Sequence, residues 1–461
     1  MIITASRLII NTKFTSLSSL LPSNNNNNTP PPPLTTHSKK KTHVFFNPYG
    51  SGLEYKTKYY NTFRWLEYRN AIHAMKIPIM GLPKAPLVPT RPLGMTSMRT
   101  SIVGLGGVGL GDIYGAISES EAVDTVIRAL ELGITMLDTA PNYGMGKSER
   151  RIGEALHKYD SFDRHWELKN GELIASQPII VTKCGDAGPQ NGGYSPFSKE
   201  GVLSSYKNSL KNLDGFQINA FLLHDPSKNE LDEFFAPGTG GVETFKELRE
   251  LGEVRATGIG VREHDVLLDF MKHPANVADI ALIVNDWNLL RRYASVNLLP
   301  MANRLGVAVL NGGPLYMGLL SGEDPKISFS KGMKENINIP EVIDLATEMN
   351  EWSRGKEVDL RGLALRFATG MCKIDAPGSD KKEMAYGIRN FQSFAPPISS
   401  ALVGATSVTE VEEIVMSLTV ALEDDERYNE IALDFETTFG ERVEALDPNS
   451  HFYYNKNDIQ L

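Results

Sequence analysis

The sequence predicts an α/β protein built as a (β/α)8 barrel, the TIM architecture. From about residue 92 onward, short apolar and β-branched runs alternate with longer amphipathic runs. Eight such strand–helix pairs are typical of a closed parallel barrel. Ser-x-x-Glu sequences stand at the start of two amphipathic runs, where they signal the beginning of a helix. A doubly wound sheet with extra units is the alternative that this pattern leaves open.

Each predicted strand is followed by its predicted helix or helices. In chain order the pairs are Ile102–Leu105 with Glu121–Leu132, Ile134–Leu137 with Glu149–Leu156, Ile179–Val181 with Gly201–Leu213, Ile218–Leu223 with Val242–Leu251, Ala256–Val261 with Asp265–Met271, Ile280–Val284 with Val296–Leu305, Val307–Leu310 with Val342–Trp352 and Leu360–Phe367, and Ser400–Val403 with Val408–Leu422. The two helix start signals pair Ser118 with Glu121 and Ser407 with Glu410.

Charge divides the chain into two parts. Of the 461 residues with a net charge of −9, residues 1–99 hold 13 Lys/Arg and two acids, a net of +11, whereas residues 100–461 hold 34 and 54, a net of −20. The acidic body disfavours nucleic acid and anionic membrane surfaces as partners. No run approaches the roughly 18 apolar residues that a membrane span needs. Cys184 and Cys372 form no disulfide framework and no metal-binding spacing, so we predict a reducing compartment and no metal site.

The N-terminal region differs in composition from the rest of the chain. Residues 1–53 contain no acid and carry the runs Asn24–Asn28, Pro30–Pro33 and Lys39–Lys41. This composition predicts a disordered leader, because it buries too little apolar surface to offset its ordering entropy. The leader resembles an organellar transit peptide, and an extension without a targeting role is the alternative. We therefore expect a cytoplasmic location or, if the leader is a transit peptide, a plastid or mitochondrial one.

We divide the chain accordingly. Residues 54–90 are predicted to be a linker or peripheral segment, 91–425 the single barrel domain, and 426–461 a C-terminal extension. Two insertions, Asp160–Ser176 and Lys373–Pro397, lengthen loops of the barrel. We expect the second to be surface decoration or an oligomer contact on the face opposite the site.

A glycine motif follows the first strand. Gly104-Leu-Gly106-Gly107-Val-Gly109 matches the G-x-G-x-x-G pattern of dinucleotide-binding Rossmann folds. In that fold the third glycine opens a helix, but here the helix signal begins only at Ser118. We therefore predict a glycine loop at the top of the first barrel strand.

Four residues of complementary chemistry stand at three successive strand ends. Asp138 and Tyr143 follow the second strand, Lys183 the third and His224 the fourth. In a parallel barrel these ends open on one face, where the side chains converge. A tyrosine titrates at about 10, and an adjacent ammonium lowers that pKa. Asp138 would hold Lys183 in place, and Tyr143 would then move a proton to or from a substrate oxygen.

The same residues carry a family resemblance. The run Leu137-Asp-Thr-Ala-Pro-Asn-Tyr143-Gly, with Thr182-Lys183 and Leu222-Leu-His224-Asp225, resembles the aldo/keto reductase superfamily. The resemblance extends from Arg91-Pro-Leu-Gly94 to Leu402-Val-Gly-Ala-Thr406-Ser407. It implies a barrel that uses a nicotinamide nucleotide without a Rossmann domain, with Asp138, Tyr143, Lys183 and His224 as its catalytic tetrad.

Within this superfamily, Tyr194-Ser195, His224-Asp225-Pro226 and the run Asn311-Gly312-Gly313 resemble the sugar 1-dehydrogenases. That resemblance implies oxidation of an aldose at C1 to the aldonolactone, with Tyr143 as general base. The alternatives are an NADPH-dependent aldehyde or ketone reductase and a nucleotide-binding regulatory subunit with the same barrel. We expect a small sugar or carbonyl substrate and a monomer or homodimer.

We also expect particular cofactor and substrate contacts. The expected cofactor-binding residues are Gly107, Gly312, Gly313, Leu315, Gly404, Thr406 and Ser407, and the expected substrate-pocket residues are Trp287 and Asn311. The chain departs from the superfamily at Arg262-Glu263, where many members have Ser-Asn, at Val284, where many have Gln, and at the glycines after strand seven, where many have a stacking Tyr.

The residues at the start of the last helix bear on the choice between NAD and NADP. A 2′-phosphate would favour basic residues near Gly404–Ser407, but the neighbouring charges are Glu410, Glu412 and Glu413. This favours NAD over NADP.

Overall fold

The computed structural model describes residues 88–159, 178–185, 193–295, 297–326, 340–372 and 398–446. The predicted leader at 1–53, residues 54–87 of the predicted linker, the insertions at 160–176 and 373–397, and residues 447–461 lie outside the described residues.

Eight parallel strands close into a barrel, as the sequence predicted. Each strand pairs with the next along the chain, and the last pairs with the first. The barrel strands are β3 (Val103–Gly106), β4 (Met136–Asp138), β5 (Ile179–Cys184), β6 (Ala220–His224), β7 (Ala256–Gly260), β8 (Ile280–Val284), β9 (Ala308–Gly312) and β10 (Ile398–Gly404). Every predicted strand is present, and its bounds differ by three residues at most.

Helices surround the barrel. They are α1 (Glu119–Glu131), α2 (Lys147–Lys158), α3 (Lys199–Asn212), α4 (Lys228–Phe234), α5 (Val242–Glu250), α6 (His264–Lys272), α7 (Leu298–Leu305), α8 (Pro340–Gly355), α9 (Leu360–Ala368), α10 (Val408–Glu423) and α11 (Asp425–Ala445). The sequence pattern missed the short helix α4 and left α11 as an unspecified extension. Within the described ranges, no helix has both the length and the apolar character that crossing a bilayer requires.

The glycine motif lies where the sequence placed it. Gly104 and Gly106 belong to strand β3, Gly109–Gly111 form a single 3-10 turn, and α1 begins only at Glu119. Ser118 Oγ accepts a hydrogen bond from the Glu121 N–H at 3.1 Å, as a helix N-cap does. The Rossmann interpretation is therefore excluded by the described fold.

A hairpin that the sequence pattern missed lies at the N-terminal end of the barrel. Strand β1 (Thr90–Pro92) pairs antiparallel with β2 (Arg99–Ser101). Leu93 and Met98 from its turn are buried in one apolar cluster with Ile179, Ile280 and Ala308, near the starts of three barrel strands. The hairpin therefore covers this end of the barrel, and the other end, where the strands finish, is the one at which such barrels form their sites.

The C-terminal helix α11 packs on the barrel's helical layer. Phe435 and Phe439 are buried, and each contacts the Trp352 ring, with centroids 5.5 Å and 5.7 Å apart. The buried guanidinium of Arg366 pairs with Asp425 at the start of the helix. These contacts make α11 part of the packed fold.

Candidate active site

The C-terminal ends of the strands form one layer of inward-facing positions, which we call the mouth layer. Alternate residues of a strand face the same side of the sheet, and Met136, Val181, Leu222, Leu282 and Leu310 lie in the cluster inside the barrel. The mouth layer lies two residues further along each strand. It consists of Gly106, Asp138, Lys183, His224, Gly260, Val284, Gly312 and Gly404 on β3 to β10 in turn.

Three neighbouring strands supply all the charged or titratable side chains of this layer. Lys183 is 1% exposed, and its Nζ lies 2.7 Å from Asp138 Oδ1 and 2.9 Å from the Thr139 carbonyl oxygen. The same Nζ donates to the Tyr143 hydroxyl oxygen at 3.2 Å. The buried ammonium therefore lies between a carboxylate and a phenol.

Tyr143 comes from the loop between β4 and α2 and reaches over the layer. Its ring lies edge-on to the His224 ring, with centroids 5.7 Å apart and planes at 82°. Lys183 Nζ is 4.8 Å from the Tyr143 ring centroid. The four predicted tetrad residues thus meet at one point of the mouth. A phenol placed against a buried ammonium can exchange a proton with a substrate oxygen.

The other strand ends carry four glycines and one valine. Deeper in the barrel, glycine is required by packing, since an added Cβ at Gly258 would lie 2.0 Å from the Ile280 oxygen and one at Gly104 2.7 Å from Leu402. At two of the mouth positions, packing requires glycine less strictly. The nearest atom to an added Cβ would be 3.4 Å away at Gly260 and 3.9 Å away at Gly404. At Gly312 the added Cβ would lie 3.0 Å from the Ile283 oxygen, so Gly260 and Gly404 are the positions that leave more room beside the tetrad.

Asn285 is a polar group at the mouth that the sequence analysis missed. Its backbone adopts a positive φ of 57°, and its N–H donates to the Gly312 oxygen at 2.8 Å. The residue is 4% exposed, and its Oδ1 accepts no hydrogen bond from the described residues. Buried amide oxygens are normally paired, so this acceptor suits a ligand N–H. The sequence signal that could have found Asn285 is its residue type, because asparagine tolerates the left-handed backbone conformation in which a strand can end.

The remaining predicted cofactor residues differ in their surroundings. The Gly107 N–H donates to the Asp138 backbone oxygen at 2.7 Å, and an added Cβ would lie 2.6 Å from that oxygen, so this glycine braces strand β4. Gly313 has a φ of 71° and packs against the Asn285 side chain. Leu315 is partly buried against the outer core. Gly312 and Gly404 belong to the mouth layer.

Thr406 and Ser407 lie at the start of helix α10. Ser407 Oγ accepts from the Glu410 N–H at 3.2 Å, as predicted for an N-cap. The Glu410 carboxylate binds Thr406, accepting from its N–H at 2.7 Å and from its hydroxyl at 3.0 Å. A carboxylate therefore already occupies the positive end of this helix.

The predicted substrate-pocket residues lie elsewhere. Trp287 is 1% exposed and stacks on Phe367 of α9, with centroids 4.9 Å apart. Asn311 is fully buried, and its Nδ2 donates to the oxygens of Trp287 and Ala368 at 2.8 Å and 3.1 Å. Asn311 faces outward because its neighbour Leu310 faces inward. Both side chains therefore join the barrel to the helical layer.

Charged residues that sequence reasoning did not place in a site surround the mouth beyond β7 and β8. Asp286 is 2% exposed and lies 3.0 Å from His264 Nε2 and 2.5 Å from Arg291 Nε. Burial raises the pKa of Asp286, but the His264 hydrogen bond and the Arg291 charge lower it, and the net shift is downward. Burial lowers the pKa of the half-buried Arg262 guanidinium, and Asp286 opposes that shift. These ion pairs join the segment after β7 to the segment after β8.

The fold and the site define a (β/α)8 barrel whose mouth brings an acid, a phenol, an amine and an imidazole together. A profile of the aldo/keto reductase family matches residues 102–432. The chain therefore belongs to the aldo/keto reductase family and is an NAD(P)-dependent oxidoreductase acting on CH–OH or carbonyl groups. The family predicted from the sequence motifs is confirmed.

Several curated proteins are similar to this chain. L-galactose dehydrogenase of Arabidopsis thaliana is 29% identical over 71% of this chain and 88% of its own length. D-threo-aldose 1-dehydrogenase of a Pseudomonas species is 27% identical over 58% and 80%. NADH-specific methylglyoxal reductase of Escherichia coli is 27% identical over 72% and 94%. The sugar dehydrogenases expected from the sequence are thus among the relatives.

A solved structure shares the fold. An aldo-keto reductase from Bacillus halodurans in its holo form superposes with a TM-score of 0.50 at 23% identity, covering 72% of this chain and 91% of the other.

Proposed function

We propose that this protein oxidises an aldose at C1 to the aldonolactone, with Asp138, Tyr143, Lys183 and His224 as its catalytic residues. The observation that carries the proposal is the position of Lys183 Nζ, 2.7 Å from Asp138 and 3.2 Å from the Tyr143 hydroxyl. The similarity to L-galactose dehydrogenase and D-threo-aldose 1-dehydrogenase supports an aldose as the substrate.

In the proposed mechanism, Tyr143 takes the proton of the C1 hydroxyl. The Lys183 ammonium favours the phenolate, and Asp138 keeps that ammonium buried and oriented. The His224 imidazole orients the hydroxyl against Tyr143. When bound, a nicotinamide dinucleotide supplies the acceptor for the hydride that leaves C1. In the opposite direction, Tyr143 gives the proton back to a carbonyl oxygen.

The residues at the mouth fit a nicotinamide dinucleotide. Gly260 and Gly312 present no side chain beside the tetrad, and the Asn285 amide oxygen, which has no described donor, would accept from the carboxamide of the ring. Gly404, Thr406 and Ser407 would lie beside the adenosine half. Gly313 would support this surface from below, Leu315 would border it, and Gly107 would act indirectly by bracing Asp138.

We propose NAD as the preferred cofactor. The Glu410 carboxylate on the Thr406 N–H and hydroxyl would repel a 2′-phosphate, whereas it can accept a hydrogen bond from a ribose 2′-hydroxyl. Two arginines that contact helix α10 from neighbouring helices, Arg128 and Arg361, are paired with Glu412 and Glu413. The targeting role of the leader and the monomeric or homodimeric state stay predictions.

Replacement of Tyr143 by Phe tests the proposed function. We expect turnover of L-galactose, L-fucose or D-arabinose with NAD to fall by about 10³-fold or more, because the proton acceptor is lost. Dinucleotide binding, measured by quenching of protein fluorescence, should be retained. An active Tyr143→Phe enzyme would exclude the assigned base.

The second candidate is an aldehyde or ketone reductase that runs the same tetrad in the other direction. The similarity to a methylglyoxal reductase favours it. Initial rates with aldoses plus NAD, measured against those with methylglyoxal and aromatic aldehydes plus NADH and NADPH, distinguish the two. A carbonyl preference of more than about tenfold in kcat/KM, which is about 1.4 kcal/mol, would replace the aldose assignment.

A further inference from the structure

The first turns of helix α2 carry polar residues that are buried against the barrel. Ser148 and Glu149 are fully buried, and Arg151 is 2% exposed. The helix begins at Lys147, four residues after Tyr143. Polar side chains at a helix start are usually solvated, and a buried carboxylate is costly unless its oxygens are hydrogen-bonded. Their burial therefore requires an explanation.

Glu149 joins α2 to the strand that bears Lys183. Its Oε1 accepts from the Thr182 hydroxyl at 2.7 Å, and its Oε2 accepts from Asn212 Nδ2 at 2.8 Å. Thr182 is fully buried and directly precedes Lys183. Hydrogen bonds to an ionised carboxylate are the stronger and more directional kind. One carboxylate thus fixes β5 to the helix that follows the Tyr143 loop.

The neighbouring residues fix the other parts of the site to the same helix. Ser148 Oγ is 2.9 Å from the hydroxyl of Thr139, the residue after Asp138. Arg151 uses all its N–H donors on the loop after β3 and the start of α1, binding the oxygens of Leu110 and Ile117 and the carboxylates of Asp112 and Glu119 at 2.7–3.1 Å. The start of α2 therefore contacts the segments next to three of the four tetrad residues.

The loop after β3 also contacts the Tyr143 backbone directly. An added Cβ at Gly111 would lie 2.6 Å from the Tyr143 carbonyl carbon, and one at Gly144 would lie 2.3 Å from the Gly111 oxygen. The Tyr143 segment is thus held between this loop and α2. Tyr143 lies outside the strands, so its distance to Lys183 depends on how firmly α2 and β5 are joined.

We propose that Glu149 is a positioning residue for proton transfer. By holding Thr182 it sets the separation of Lys183 Nζ and the Tyr143 hydroxyl, and so the readiness of Tyr143 to ionise. This inference rests on the proposed role of Tyr143. A shift of a fraction of an ångström matters because the interaction of ammonium and phenolate weakens with distance, and catalytic groups tolerate little misplacement.

Replacement of Thr182 by Val tests the link with the least disturbance. Valine matches threonine in shape and removes only the hydroxyl that binds Glu149. We expect kcat with an aldose and NAD to fall by about tenfold, with little change in the dissociation constant for NAD measured by fluorescence. The limb of the kcat/KM pH profile that reports the base should move to higher pH. Thr182→Ser, which keeps the hydroxyl, should restore both.

Thr257→Val is the matched control. Thr257 is also a fully buried barrel threonine, and its hydroxyl donates to the Val277 oxygen at 2.7 Å, away from α2. We expect it to lower the melting temperature to a similar extent while the pH profile stays in place. If Thr182→Val behaves like Thr257→Val, Glu149 has only a structural role and the proposal is overturned.

Further variants keep the test decisive. If Thr182→Val does not fold, Asn212→Ala takes its place. Asn212 is partly buried and is the other partner of the Glu149 carboxylate. We expect the pH profile of Asn212→Ala to shift to higher pH as well. An unmoved profile would overturn the proposal. Loss of the Tyr143 assignment itself would show separately, as an active Tyr143→Phe enzyme.

Discussion

The two halves of the barrel mouth contrast in composition. On β4, β5 and β6 the strand ends carry Asp138, Lys183 and His224, whereas on β7, β9, β10 and β3 they carry only glycine, with Val284 on β8. The strands of both halves have the same parallel pairing and the same inward alternation. The difference therefore comes from side chains alone.

The contrast separates two tasks of an oxidoreductase. In the charged half, a buried ammonium needs close partners, because an uncompensated charge there would be costly. In the glycine half, the backbone itself forms the surface, which allows a planar ring to approach closely. We infer that proton transfer belongs to the first half and cofactor binding to the second.

Removal of the ammonium should have the largest effect. In Lys183→Met we expect the turnover of folded enzyme to fall by about 10³-fold or more, because Tyr143 loses the charge that favours its phenolate. Stability should fall by about 3–5 kcal/mol, since Asp138 is left buried without its cation. Steady-state kinetics and urea unfolding measure the two effects.

Arg366→Met is the control for that stability loss. Arg366 is as buried as Lys183 and pairs with Asp425 on the outer layer. We expect comparable destabilisation with nearly normal kcat per folded molecule. Turnover of Lys183→Met within tenfold of the parent would break the assignment of chemistry to the charged half.

The charged half could be predicted fully from sequence, whereas in the glycine half only Gly312 and Gly404 were expected at the site. Asp138, Lys183 and His224 stand out because charged or titratable residues at three successive strand ends are unusual. Gly258 and Gly260 look alike in sequence, and only the atoms around them show that packing requires one far more strictly than the other. Asn285 was missed for a related reason. It lies at a left-handed turn that breaks the alternation of the strand, so the alternation does not extend beyond Val284.

A matched pair of glycine substitutions on β7 tests the second half of the contrast. Gly258→Ala should destabilise the fold by about 1–3 kcal/mol or more, because its Cβ would meet the Ile280 oxygen at 2.0 Å. Gly260→Ala should change stability by less than about 1 kcal/mol but weaken NAD binding by about tenfold, since its methyl group enters the space for the ring. Chemical denaturation and fluorescence titration measure both quantities. Unchanged NAD binding in a folded Gly260→Ala protein would place the ring elsewhere.

The smallest effect is expected where the glycine half meets helix α10. Glu410→Gln keeps an acceptor for the Thr406 N–H and removes one negative charge from the helix start. Because Glu410 is exposed, its repulsion of a 2′-phosphate is screened and amounts to about 1 kcal/mol or less. The ratio of the NADP to NAD dissociation constants should therefore fall by about three- to fivefold. Glu423→Gln, at the other end of the same helix, makes the same charge change and should leave the ratio unaltered. Equal effects of the two variants would mean that overall charge, and not the carboxylate at Thr406, selects the cofactor.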